Sequence, residues 1–182
     1  FISGNLSSFV PGGRTWLATA DRLYQLPLGL VGVAIGIALL PRLSAAVASK
    51  DHAQQQASMD EALCLSMALT LPAAAALMAM PYFLIDALFT RGAFLQIDAV
   101  NTAHALLHFG WGVPAFVLIR ILAPAFFARG DTRRPMVFAL VSVAVNAALA
   151  IGLFYLGMGV SGIAAAVSAS AWTNVILLAA TL

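Results

Sequence analysis

The chain has 182 residues, a length that suits one soluble domain, yet 62% of them are hydrophobic and only 9% are charged, against roughly 45–50% and roughly 25% in soluble proteins. Nine basic and seven acidic side chains cannot clothe a globule of that size in a polar surface, and the mean hydropathy is +0.97. A soluble enzyme, a disordered tail and a coiled coil are excluded, which leaves an integral membrane protein. The net charge of +2 comes from dispersed basic residues, so nucleic acid is not an expected partner. A single cysteine, Cys64, excludes a disulfide framework or a thiolate metal cluster. The chain opens at Phe1 and closes at Leu182 inside an apolar run, and is expected to be one membrane-domain fragment of a longer polytopic protein.

Residues 1–10 read as the end of an earlier helix. Beyond them the gaps between charges set the elements, because a membrane-crossing helix needs about 20 largely apolar residues. A first span is predicted over about 15–40, with no charged residue between Arg22 and Arg42. A second, 61–80, follows Ser58 and Glu61, which have the S-x-x-E spacing of a capping box. Residues 82–90 read as a short segment at the membrane surface, and 99–127 as a third span. Pro135 suits the first turn of a fourth over 135–156. Gly157, Gly159, Ser161 and Gly162 supply a turn before a fifth over 161–182; residues 135–182 carry no charge. Alanine, glycine and leucine fill these runs, as where helices pack closely in lipid, and the alternation of a barrel strand is missing. The expected fold is all-α, a polytopic transmembrane helix bundle of about five full spans. Arg42, Lys50, Arg129, Arg133 and Arg134 fall on one side of such a bundle and Arg14 and Arg91 on the other. That excess puts 41–60 and 128–134 in the cytoplasm, and the first span runs inward.

The first span carries the candidate site. Ionisable residues inside a span cost about 2.5–3.5 kcal/mol on insertion scales and usually face a cavity or a partner. On a helical wheel Asp21, Arg22, Gln25, Gly29, Gly32 and Gly36 share an arc of about 100°, while Leu23, Leu26 and Leu30 point elsewhere. Two roles fit. Arg22 meets an anionic ligand on a cavity wall whose glycines admit bulk or a moving neighbour, with Pro27 bending the helix. Alternatively, Asp21 and Arg22 snorkel to the outer interface, and Gly32 and Gly36 only permit close packing.

Elsewhere structural roles are the plainer expectation. His104 and His108 are one turn apart, a spacing able to hold a metal, but no third ligand is evident and Asp98 suits a helix start. Arg120 faces either a cavity or the inner interface. Asp86 is expected in water and Asn146 in an interhelical hydrogen bond. No HExxH, CxxC, P-loop or GxSxG pattern occurs, so neither catalysis nor a cofactor is expected.

The stretch Ala20-Asp21-Arg22-Leu23-Tyr24-Gln25-Leu26-Pro27-Leu28-Gly29, continuing through Gly32 and Gly36 to Pro41 and Ser44, resembles the signature of the MurJ (MviN) family. So do Leu88-Phe89-Thr90-Arg91-Gly92-Ala93-Phe94, the run from Leu122-Ala123-Pro124 through Ala128-Arg129-Gly130-Asp131 to Pro135, and Gly159-Val160-Ser161-Gly162 with Asn174 beyond. The resemblance implies a bacterial inner (plasma) membrane flippase for lipid II, the lipid-linked peptidoglycan precursor, within the multidrug/oligosaccharidyl-lipid/polysaccharide exporter superfamily. It implies two lobes around a cationic cavity, this chain forming most of the carboxy-terminal lobe against the rest of the same transporter chain. The family's functional arginine maps onto Arg22, beside Asp21, and Gln25 stands where the family often has a glutamate. The implied partners are lipid II, or a similar polyprenyl-pyrophosphate-linked saccharide, and membrane lipids. Two alternatives keep the fold: export of another polyprenyl-linked oligosaccharide, and a non-transporting membrane scaffold.

Overall fold

A computed structural model describes residues 7, 10–48, 52–92, 94–128 and 130–181, with side chains for all of these except 33–40, 42–44, 46–48, 52 and 128. The helices in order are α1 (Gly13–Ala48), α2 (His52–Ala79), α3 (Pro81–Phe89), α4 (Gln96–Gly110), α5 (Val113–Ala128), α6 (Arg133–Leu153) and α7 (Gly159–Thr181), and no strand occurs among the described residues. Two helical runs, 53–79 and 133–181, are long and apolar enough to cross a membrane, and α4 with α5 makes a third, bent one.

α1 runs unbroken through Pro27 and Pro41. α2 begins six residues ahead of Ser58, so Ser58 and Glu61 lie inside it and do not form a capping box at its start. The reason is local: Ala53, Gln54, Gln55, Gln56 and Ala57 are good helix formers with no glycine or proline among them, and they carry the helix upstream. α3, with Pro81 in its first turn, has nine residues and is too short to cross a bilayer.

The helix expected over 99–127 is two helices, bent by 41° at Trp111–Gly112. Pro114 has no N–H to offer the Gly110 carbonyl, and its ring crowds that carbonyl. The break sits where neighbours supply the lost bonds, which non-helical backbone at membrane depth requires. Gly112 donates its amide to Phe109 at 2.9 Å. The Ser168 hydroxyl donates to the His108 carbonyl at 2.7 Å, and the Trp172 indole donates to the Trp111 carbonyl at 3.0 Å. Both donors come from α7, whose inward face is small: Gly162, Ala164, Ala166, Ser168 and Ala171 are buried. Small residues let helix backbones approach closely in lipid, where packing rather than water exclusion holds helices together.

A straight helix over 133–181 would be roughly 73 Å long, more than twice the ~30 Å hydrocarbon core. Instead the helix breaks at a kink within Phe154–Met158, where Gly157 lies at φ +84°, and Gly159 follows at φ +54°. Glycine adopts that left-handed conformation without steric cost, so α6 and α7 fold back on each other. Asp131 opens α6 by accepting the Arg133 and Arg134 amides, both at 3.2 Å.

The starts of α1, α4 and α7 meet at one end. The Trp16 indole donates to Asp98 at 2.8 Å, and the same carboxylate accepts the Leu95 amide at 2.8 Å. A Cβ on Gly13 would stand 3.0 Å from Val160. Hydrogen bonds to a charged group are worth about 1.5–3 kcal/mol. Trp16→Phe and Asp98→Ala should therefore each lower thermal stability in detergent, with the double variant losing less than the sum. Strictly additive losses would mean that the two side chains do not hold these helices together. Deeper in, the Tyr24 ring packs on Phe109 at 4.7 Å and Phe116 at 5.3 Å, joining α1 to α4 and α5.

Candidate functional site

The α1 wall has two faces. Ala20, Leu23, Tyr24, Leu28 and Val31 are buried against the other helices. Arg22, Gln25 and Gly29 lie on the open side, with Asp21, Pro27 and Gly32 half-buried at its margin. Leu26 and Leu30, expected elsewhere on the wheel, are 64% and 77% exposed and share the open side. The wall is thus a polar and glycine-bare strip edged by leucines. A Cβ on Gly29 would meet nothing within 4 Å. Gly36 lies in the same helix, but its surroundings fall outside the described residues.

Asp21 is occupied by its own helix. It accepts the Gln25 side-chain amide one turn on and a hydrogen bond from the Tyr24 hydroxyl. Arg22, its immediate neighbour, has no carboxylate within 4 Å among the described residues. Its guanidinium keeps five donors in a planar fork, exposed on the open face. A group so arranged can grip an anion.

A second guanidinium joins this wall. Arg120, exposed on α5, reaches across to Gly32, where a Cβ would stand 2.5 Å from a guanidinium nitrogen and 3.5 Å from Cδ. Sequence reasoning left Arg120 between two roles and did not connect it to α1. The one available signal was a bare glycine on the polar arc, and that also fits simple helix packing.

The remaining candidates stand apart. His104 is exposed and His108 half-buried; with Pro81, Tyr82, Val100 and Leu107 they line a groove of about 550 Å³. No cluster of three or more metal-ligating side chains occurs among the described residues. Asn146 donates to the Ser170 hydroxyl at 3.4 Å, a long bond between α6 and α7. Asp86 is half-buried on α3, not fully in water.

Residues 1–182 match the family profile described as lipid II flippase MurJ. The chain belongs to the MurJ family. Its MurJ relatives include a probable lipid II flippase MurJ of Rhizobium meliloti (strain 1021), 45% identical over 100% of this chain and 34% of the relative. Another, of Rickettsia prowazekii (strain Madrid E), is 36% identical over 98% of this chain and 35% of the relative. A solved structure, lipid II flippase MurJ in an inward closed conformation, is similar at a TM-score of 0.88 and 25% identity, over 99% of this chain and 38% of that one. The chain therefore spans about a third of the length of the MurJ relatives it matches. The family inferred from the A-D-R-L stretch is the one found, and the all-helical fold agrees with it.

Proposed function

We propose that this chain is part of the carboxy-terminal lobe of a flippase that moves lipid II from the cytoplasmic to the outer leaflet of a bacterial inner membrane, for peptidoglycan synthesis. The observation that carries the proposal is Arg22: a guanidinium with no carboxylate within 4 Å among the described residues, beside an acid already engaged, on the open face of α1. Lipid II bears a pyrophosphate and a large polar head that hydrocarbon does not admit. A cavity that opens alternately to each side hides the head while the polyprenyl tail stays in lipid. Arginine suits the pyrophosphate because its fork makes two parallel charge-assisted hydrogen bonds.

In this scheme α1, α2, the bent pair α4–α5, α6 and α7 are the five spans. The ends of α1 and α5 face the cytoplasm, and the rest of the same transporter chain closes the cavity opposite Arg22. Asp21 and Gln25 brace the arginine's helix turn, and Gly29 and Gly36, with Pro27, provide the thin surface on which the lobes close, while Gly32 packs closely against Arg120. The work is binding and movement, and no bond of the cargo is broken.

The test uses the full-length parent protein in cells depleted of their own flippase, with lipid II assayed at the outer face. Restored exposure of lipid II is expected. Membrane insertion at normal levels without restored exposure would leave a different cargo or a scaffold in its place.

A further inference from the structure

Arg120 is a cation to which the flippase scheme assigns no role. Its guanidinium rests against bare backbone at Gly32, and no carboxylate lies within 4 Å of it among the described residues. An arginine within a span costs about 2.5–3.5 kcal/mol on insertion scales, and no acid among the described residues pairs with it to offset that cost. Gly32 stands ten residues beyond Arg22 on α1, about 15 Å along the axis and about 80° around it. One wall thus carries two guanidinium groups at two depths.

We infer that Arg120 is a second anion-binding residue, seated by Gly32, which takes the pyrophosphate of the lipid-linked cargo at the cytoplasmic level of the cavity before Arg22 takes it at the outer level. This rests on the flippase reading above. A spacing of about 15 Å covers half of the ~30 Å hydrocarbon core. The pyrophosphate, the most expensive part of the cargo to desolvate, then has a guanidinium partner at both stages of the passage. Gly32 serves by leaving room, since a methyl group there would occupy the place of the guanidinium nitrogen.

The test is binding of a polyprenyl pyrophosphate to the purified full-length protein, with the uncharged polyprenol as control. Arg120→Gln should weaken binding at least tenfold. Arg120→Lys, which keeps the charge and the stem, should recover only part of it, because an ammonium cannot make the paired grip. Gly32→Ala should weaken binding on its own but not in the Arg120→Gln background, where no guanidinium is left to displace. Inorganic pyrophosphate should compete for the unsubstituted protein and compete more weakly with Arg120→Gln, where only Arg22 remains to take it. Unchanged binding by Arg120→Gln overturns the assignment, and a Gly32→Ala loss that persists without Arg120 overturns the seat. If the unsubstituted protein does not distinguish pyrophosphate from polyprenol, the flippase reading falls as well, which separates the two failures.

Discussion

Arg22→Ala in the full-length protein is expected to abolish delivery of lipid II to the outer leaflet, and Arg22→Lys to reduce it about tenfold or more. The alanine variant loses both the charge and the planar fork. The lysine variant keeps a point charge but makes one contact where the guanidinium makes two, and a charge-assisted hydrogen bond is worth about 1.5–3 kcal/mol, or one to two factors of ten. Since Arg22 is exposed, neither change should impair folding. Lipid II at the outer face, compared at matched membrane levels, gives the answer. Transport by Arg22→Ala equal to that of the unsubstituted protein would return Arg22 to the interface as a snorkelling side chain.

The largest effect on stability is expected at Gly112. A Cβ there would stand 2.7 Å from Ser168 Cβ and 3.1 Å from its Cα. A flexible side chain can turn aside; a helix backbone cannot. Overpacking of this kind costs about 1–3 kcal/mol. Shifting Ser168 also deprives the His108 carbonyl of its donor, a further ~1–3 kcal/mol for a buried polar group. Gly112→Ala should therefore melt well below the unsubstituted protein in detergent and accumulate poorly in membranes. Gly152→Ala is the control: nothing lies within 4 Å of a Cβ at that position, and its melting should stay within the small range of surface substitutions, about 0.5 kcal/mol. Equal melting of the two variants would show that α7 does not clamp the break.

What the amino-acid order revealed, and what it hid, follows from the range of each interaction. Helical runs were visible because charges are excluded from hydrocarbon, and the gaps from Glu61 to Asp86 and from Arg134 onward mark them without any knowledge of neighbours. The turn at Gly157–Gly159 was visible because left-handed backbone is a local demand met by glycine. The start of α2 was misplaced because a capping pattern at Ser58–Glu61 competes poorly with good helix formers upstream. The break at Trp111–Gly112 went unread, although Gly110, Gly112 and Pro114 are its cause, because the gap from Asp98 to Arg120 suits a straight span equally well. Its repair by Ser168 and Trp172, the Trp16–Asp98 bond across 82 positions and the seat of Arg120 on Gly32 all join distant parts of the chain. No spacing rule reaches that far. Arg22 is visible without such contacts, as a charge within an apolar run.

The borrowed donors at the break also bear on the order in which the lobe is completed during synthesis. The chain emerges from its amino-terminal end, so α4 and α5 enter the membrane before α7 exists. Until Ser168 and Trp172 arrive, the carbonyls of His108 and Trp111 lack the partners they have in the finished lobe, in a medium that offers few others. The bent span is therefore provisional, and α7 sets it. Loss of α7 would do more than remove one neighbour: it would leave the His108 and Trp111 carbonyls in the middle of the bundle without the donors they have here.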